Sequence, residues 1–184
     1  METFEQRLKR FRDGPPQEII GTLLNSINTN YIRELKILMS NGGEIGYLPI
    51  IGVHSIIMTI SKDVFSKTGK RGFKYYLKNF VDWDKDGFRF SEISDVLYDW
   101  RNVIVHQFIS RLGHSIGFDY VMDTGYRYSN ETIFINPRIL CRQLISGFEG
   151  DRRTQNIIWH YSEILGKGGM EKAKVRILKK YIEK

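Results

Sequence analysis

The chain has 184 residues, 41% of them hydrophobic and 13% aromatic, which is the composition of one globular domain long enough to build a core. Its 28 Lys and Arg residues exceed its 21 Asp and Glu residues, and the resulting net charge of +7 favours polyanionic partners. A single cysteine, Cys141, excludes a disulfide framework within the chain and, with no basic and apolar leader at the N-terminus, leads us to expect a cytoplasmic protein.

The first part of the chain predicts helices alone, with N-terminal helices over 1–43 and core helices over 45–112. The most apolar of them is the predicted centre of the core. Pro49 and Gly52 interrupt its apolar run, which is too short to cross a bilayer, so no membrane partner is expected. The predicted helices span about Phe4–Phe11, Pro15–Ile27, Tyr31–Met39, Pro49–Phe65, Gly72–Phe80 and Ser91–Leu112.

The pattern changes after Gly113, where two short segments predict a β-hairpin within 116–136. Its strands would be Phe118–Met122 and Thr132–Ile135, joined by a connection rich in Gly, Asn and Ser. Because an isolated hairpin is at best marginally stable, this one would cap a groove, extend a dimer interface or cover one end of the helical part. We expect the last of these.

The C-terminal part, 137–184, predicts helices again, with a flexible hinge at Gly166–Gly169. The stretch from Lys167 onward carries seven Lys or Arg residues and two Glu residues, and it predicts a basic amphipathic helix. Its apolar side would contain Val175, Leu178 and Ile182. The fold class is therefore all-α, with a small β-hairpin inserted after the helix at 91–112.

The most informative segment is Arg101-Asn102-Val103-Ile104-Val105-His106, in the middle of that helix. At about 100° per residue, the apolar side chains of the helix share one stripe. Members of the stripe are Ile93, Val96, Leu97, Trp100, Ile104 and Phe108. The opposite row contains Asp95, Asp99, Asn102 and His106, and Arg101 lies between the two faces.

These residue types suit the cleavage of RNA without a metal ion. Asn102 lies one turn before His106 and can orient its ring, which can exchange a proton near neutral pH. Arg101 stays charged and offers a planar set of donors that can stabilise charge on a phosphate. The alternative is an ordinary solvated face, although Arg-Asn followed by His at this spacing is rare by chance.

At these residues the chain resembles the HEPN superfamily (higher eukaryotes and prokaryotes nucleotide-binding), and the flanking Leu97-Tyr98-Asp99-Trp100 and Gln107 are similar to that family's usual surroundings. The resemblance implies an up-and-down helical bundle that forms a homodimer with facing motif helices. It implies a metal-independent endoribonuclease without a cofactor, in toxin–antitoxin or phage-defence systems, with an antitoxin protein as a possible partner. Carried over, Arg101 and His106 match the catalytic pair, Asn102 the polar residue after the arginine, and Asp99 a more variable acid.

A basic segment before the motif predicts the surface that would bind the RNA. Its substrate-binding candidates are Lys70, Arg71, Lys74 and Lys78, which follow Lys67 in a stretch without an acid. Phe73, Tyr75 and Tyr76 are interleaved with them. Either these rings stack on bases of a single strand, or they belong to the core and the lysines form a solvated face.

Two other functions remain open from the sequence. A non-catalytic HEPN-like dimer would bind a nucleotide, RNA or an acidic protein partner, and its activity would survive substitution of His106. A regulatory adaptor would use the polar row only to fix the register of a dimer, through Asp95 and Asp99.

Metal and cofactor motifs are weak. The segment Asp82–Gly87 has the carboxylates and the glycine that begin a calcium-binding loop. The twelfth residue of such a loop should be Glu, but here it is Ile93. We therefore expect no metal and interpret the segment as a loop leading into a helix. Gly69-Lys70 lacks the other residues of a phosphate-binding loop. His54, on an apolar helix, is expected to be a hydrogen-bonded core histidine, and Cys141 to be buried.

Overall fold

The computed structural model describes residues 2–40, 47–83, 87–107, 115–130, 132–149 and 157–183, with the backbone alone for 102–107 and for Ser115. The described residues are mostly helical and include one small three-stranded sheet, so the broadly all-α prediction is confirmed. The finer prediction of an HEPN-like up-and-down bundle stays a prediction.

Most predicted helices are present, with shifted ends. The helices are α1 (Phe4–Asp13), α2 (Pro16–Ile27), α3 (Arg33–Ser40), α4 (Leu48–Asp63), α5 (Gly69–Tyr76), α6 (Ser94–Gln107), α7 (Pro137–Glu149) and α8 (Ile157–Tyr181). A π-helical turn over Asn28–Ile32 joins α2 to α3, and another over Leu77–Val81 extends α5. The predicted break before Tyr31 is therefore wrong, because the chain stays helical through it.

Local signals in the sequence set the helix starts. Thr3 and Gln6 form a capping box, in which the Thr3 hydroxyl accepts from the Gln6 N–H and the Gln6 side chain accepts from the Thr3 N–H. Pro16 opens α2 and Pro137 opens α7, since a first helical residue needs no N–H partner.

Helix α4 lies at the centre of the core, as its apolar sequence predicts. Ile57 and Ile60 are completely buried, and α3, α5, α6, α7 and α8 all contact α4. The start of α5 is fixed to α4 by a hydrogen bond of 3.0 Å from the Ser61 hydroxyl to the carbonyl oxygen of Gly72. Cys141 on α7 is buried as predicted, and burial raises the pKa of its thiol to about 12.

The sheet differs from the predicted hairpin. Its strands are β1 (Ser115–Phe118), β2 (Tyr126–Ser129) and β3 (Thr132–Ile135), in the order β1-β3-β2. Strand β1 is parallel to β3, and the antiparallel hairpin partner of β3 is β2, which we predicted to be part of the connection.

Side chains explain both errors in the sheet. The segment after Phe118 turns because the Asp119 carboxylate accepts hydrogen bonds from the backbone N–H groups of Val121 and Met122. The hairpin turn contains Asn130, whose φ of 54° is tolerated better by Asn than by most residues. The Gly- and Asn-rich composition of 123–131 therefore predicted a loop where the structure has a short strand with mostly polar, exposed side chains.

The sheet packs on the core beside α6. Ile133 and Ile135 of β3 are buried. On β1, the ring of Phe118 lies 5.0 Å from that of Trp100 on α6. The sheet thus covers part of the core.

Helix α8 contains both the predicted hinge at Gly166–Gly169 and the predicted basic amphipathic segment. The helix breaks only at Gly166, whose φ is 62°, and is helical again over 167–169. Val175, predicted on the apolar side, is 61% exposed, whereas Lys174 is buried. The Lys174 ammonium donates to the carbonyl oxygens of Arg12 and Gly14 at the end of α1, at 2.7 and 2.6 Å.

Two more basic residues of α8 bind the end of α4. The Arg176 guanidinium donates to the carbonyl oxygens of Asp63 and Val64, and the Lys180 ammonium lies 2.7 Å from the buried Asp63 carboxylate. Tyr181 also donates to that carboxylate. Cations at helix C-termini satisfy carbonyls that have no helical partner. Much of the basic tail therefore holds the fold together.

Candidate functional site

Helix α6, which carries the motif, is positioned by a buried carboxylate. The two oxygens of Asp82 accept hydrogen bonds from the N–H groups of Phe90 and Ser91, both at 2.9 Å. These N–H groups open the 3-10 turn Phe90–Ile93 that leads into α6, where they would otherwise have no partner. Burial raises the pKa of the Asp82 carboxyl. This is the helix-leading role preferred for the segment, of which Asp84 and Asp86 lie outside the described residues.

The amphipathic pattern of α6 is confirmed as far as side chains are described. Ile93, Leu97 and Trp100 are buried, whereas Asp95 is exposed and Asp99 is half-buried. The side chain of Ile104, and Phe108 altogether, lie outside the described part of the chain. The helix therefore has one packed side and one polar side, as the sequence predicts.

Of the predicted catalytic residues, Arg101 is the last on α6 whose side chain is described, and it is half-buried. The backbone stays helical through Gln107. In such a helix Asn102 and His106 occupy neighbouring positions on one face, and His106 follows Arg101 by about 7.5 Å along the axis. The side chains of Asn102 and His106 lie outside the described part, so their contacts stay a prediction.

Two other predicted site residues are brought together. Lys70 on α5 and Asp99 on α6 form an ion pair in which the ammonium donates to the carboxylate. The hydrogen bond to Asp99 raises the pKa of Lys70, and the nearby Asp95 carboxylate adds to this effect. A residue predicted to bind substrate thus neutralises one predicted to serve catalysis.

The remaining cations of α5 form an exposed row. Arg71, Lys74 and Lys78 are all exposed, and no acid among the described residues lies within ion-pair distance of them. Steps of three and four residues place them along one side of the helix and its π-helical extension. We call this set the α5 cation row. It can attract a polyanion without first losing a protein partner.

The interleaved aromatic rings are part of the core. Phe73 is 2% and Tyr76 1% exposed. Tyr75 is half-buried, against Phe65 and beneath the Lys67 ammonium, which lies 4.5 Å from the ring centroid. Of the two interpretations left open by the sequence, the structure selects the core for Phe73 and Tyr76, beside a solvated basic face, and base stacking on these two rings is excluded.

The prediction that His54 is a hydrogen-bonded core residue is only half right. The residue is buried on α4 as expected, but neither ring nitrogen has a hydrogen-bond partner among the described residues. Its ring stacks on Phe73, with centroids 4.7 Å apart, and lies 5.3 Å from the ring of Tyr98. Burial and, secondly, the charge of Arg101 lower the pKa of His54 to about 4, so the imidazole is neutral at physiological pH. The available signal was a histidine on a mostly apolar helix face.

Comparisons of the chain with protein-family models, curated sequences and solved structures found no match. Within the described ranges, no three His, Cys, Asp or Glu side chains group as they would around a metal ion. None of the helices described here combines the length and apolarity needed to cross a membrane.

Proposed function

We propose that this protein is a metal-independent endoribonuclease of the HEPN type, with Arg101 and His106 as its catalytic pair. The observation that carries the proposal is the position of Arg101. Its half-buried side chain extends from α6, and α6 packs against α5, the helix that carries the α5 cation row. A guanidinium in such a place is partly shielded from water and can still meet a phosphate, where its charge has most effect.

In this mechanism a neutral imidazole of His106 removes the proton of a ribose 2′-hydroxyl. The 2′-oxygen then attacks the adjacent phosphorus, the bond to the 5′-oxygen breaks, and that oxygen takes up a proton from the protonated His106 imidazole. Arg101 donates hydrogen bonds to the phosphate oxygens as negative charge builds on them. The products are a 2′,3′-cyclic phosphate and a 5′-hydroxyl, and no step requires a metal ion or a cofactor.

The α5 cation row would hold the RNA backbone beside this pair. Arg71, Lys74 and Lys78 are exposed and suit phosphates rather than bases, since the Phe73 and Tyr76 rings between them are buried. Binding should therefore depend strongly on salt and weakly on sequence. Lys70 contributes less, because Asp99 already neutralises it.

The resemblance also carries proposals about partners. A homodimer with facing motif helices would place two copies of Arg101 and His106 at one composite site. A toxin or phage-defence role would require a second protein that neutralises the activity, and such an antitoxin would cover the α5 cation row with acidic residues.

The decisive experiment replaces His106 by Ala and compares the purified variant with wild type on a labelled RNA. Wild type should cleave in EDTA and leave a 2′,3′-cyclic phosphate, whereas His106→Ala and Arg101→Ala should lose most of the activity. His160→Ala is the matched control, because His160 is a half-exposed histidine far along the chain, on α8. Products with a 5′-phosphate, or full activity of His106→Ala, would refute the proposal.

The second candidate is a non-catalytic module that binds RNA or another polyanion. It is favoured by the α5 cation row, which needs neither Arg101 nor His106 to attract phosphates. In that case RNA would bind without being cleaved, and Lys74→Ala would weaken binding while His106→Ala would not.

A further inference from the structure

Strand β2 is an edge strand with one open side. The strand order is β1-β3-β2, so β2 pairs with β3 on one side only. Among the described residues, no further backbone hydrogen bond reaches β2. Its residues Arg127, Tyr128 and Ser129 are exposed, and the exposed fraction of Tyr128 is 67%. The open edge of a sheet presents backbone donors and acceptors with which another strand can pair.

The hydrogen bonds of the sheet fix which residues of β2 face outward. In an antiparallel ladder, hydrogen-bonded pairs alternate with pairs that are not hydrogen-bonded. The Asn136 N–H donates to the carbonyl oxygen of Gly125 at 2.9 Å, one pair before β2 begins. Arg127, two residues after Gly125, therefore also faces β3 with its backbone groups. The N–H and carbonyl groups of Tyr126 and Tyr128 point away from β3, toward the open side.

The surface around this edge is acidic, although the chain as a whole carries a net charge of +7. The Tyr126 hydroxyl donates to the Glu92 carboxylate at 2.6 Å, and Arg127 is paired with Asp119 at 2.8 Å. Asp123, three residues before β2, is exposed. These residues are three acids and one base, so this edge repels a phosphate backbone and attracts a cationic chain.

The ring of Tyr128 offers a further contact to a cationic side chain. Alternate residues of a strand share a face, and the Tyr128 ring lies 6.3 Å from that of Tyr126. It is therefore on the face where Glu92 binds the Tyr126 hydroxyl. A Lys or Arg side chain that reaches this face from an added strand meets an aromatic ring and a carboxylate, and both attract cations.

We propose that β2 docks an extended, basic segment of another protein, which adds a fourth strand to the sheet. The backbone groups of Tyr126 and Tyr128 pair with the main chain of that segment, and Glu92 and the Tyr128 ring contact its Lys or Arg side chains. The proposal is independent of the nuclease activity, because it uses no residue of the motif and no cation of the α5 cation row.

Amide hydrogen exchange, followed by NMR, tests the pairing. The probe is a short blocked peptide of alternating valine and lysine, and its control has glutamate in place of lysine. The lysine peptide should slow exchange of the Tyr126 and Tyr128 N–H groups by about tenfold or more, and the glutamate peptide should not. The Arg127 N–H, which already faces β3, should exchange at the same rate throughout. No binding of the lysine peptide, or binding without protection of the two tyrosine amides, would overturn the proposal.

Two substitutions of Tyr128 isolate the backbone contact. Tyr128→Thr removes the ring and keeps the N–H, whereas Tyr128→Pro removes both; neither loses a hydrogen bond to β3, because this N–H points outward. Affinity for the lysine peptide should be about three- to tenfold lower in Tyr128→Pro than in Tyr128→Thr. Slow exchange of the Arg127 amide in both variants shows that the sheet is intact. Equal affinity of the two variants would contradict main-chain pairing.

The remaining controls identify the occupant. Glu92→Gln should weaken binding of the lysine peptide, whereas Glu34→Gln, at an exposed acid on α3, should not. If both variants bind as wild type does, the charge complementarity is refuted. Protection of the Tyr126 and Tyr128 amides by a higher protein concentration alone, or by an RNA oligonucleotide, would assign the edge to a second copy or to RNA and would also refute the proposal.

Discussion

Lys70 on α5 and Asp99 on α6 form an ion pair across the two helices that would contact the RNA. Both side chains are partly exposed, at 47% and 35%, so the pair can open at little cost in stability. The pair neutralises Lys70, which precedes the α5 cation row in the sequence. It therefore controls how much charge the surface presents to a polyanion.

Asp99→Asn should strengthen RNA binding. The substitution frees the Lys70 ammonium, so we expect a higher affinity and a slope of log Kd against log salt that is steeper by about one ion. Fluorescence anisotropy with a single-stranded oligonucleotide, from low to moderate salt, measures both quantities. Asp123→Asn is the matched control, because Asp123 is exposed and has no ion pair within the described part of the chain. Loss of cleavage in Asp99→Asn with an unchanged affinity would instead indicate the catalytic role that the resemblance implies.

The sequence predicts those features that depend on periodicity. The apolar stripe of α6 and the central position of α4 follow from repeats of three and four residues, and both are found. Periodicity does not predict which partner a single polar side chain binds. The local sequence does not show that Lys174 binds the end of α1, because its partners lie more than a hundred residues earlier in the chain.

The basic tail should affect stability more than RNA binding. Lys174→Ala removes the donor to the carbonyl oxygens of Arg12 and Gly14, and we expect a loss of about 2 kcal/mol in the free energy of unfolding. This corresponds to roughly 4–8 °C in Tm for a chain of this size. Lys172→Ala removes the same charge from an exposed position of α8 and should leave Tm unchanged. RNA affinity should fall little, and by the same factor, in both variants. A Lys174→Ala variant as stable as Lys172→Ala would contradict this role.

His54 should make the fold sensitive to acid. Its pKa is about 4 in the folded protein against 6.5 in the unfolded chain, so the unfolded chain binds the extra proton first as the pH falls. Stability from this group is therefore complete above about pH 6.5 and is lost progressively down to pH 4, by about 3 kcal/mol in total. Urea unfolding at several pH values should give a flatter profile for His54→Phe than for wild type. Identical profiles would indicate that His54 titrates normally.

The same residue shows where the candidate site goes beyond sequence reasoning. From the sequence alone, a histidine on an apolar helix is expected to be a hydrogen-bonded core residue. Only the tertiary packing shows that Phe73 and Tyr98 surround the ring and that neither ring nitrogen of His54 has a hydrogen-bond partner among the described residues. The hydrogen-bonding state of a side chain is a tertiary property. By contrast, the order of residues in the motif is read directly from the sequence, and it is the basis for proposing Arg101 and His106 as a catalytic pair.

Close packing of α5 on the end of α4 should be essential for the site. A Cβ atom at Gly72 would lie 2.4 Å from the carbonyl oxygen of Lys67, so Gly72→Ala must push α5 outward, together with Phe73 and the α5 cation row. We expect a loss of about 1–3 kcal/mol in stability and a parallel loss of RNA affinity. Gly168→Ala is the matched control, since it lies in helical backbone on α8 with open space around the new methyl group, and it should gain up to about 1 kcal/mol. Chemical denaturation and anisotropy on both variants measure the two effects. If Gly72→Ala were as stable as Gly168→Ala and bound RNA like wild type, the close contact between α4 and α5 would not be what holds the cation row in place.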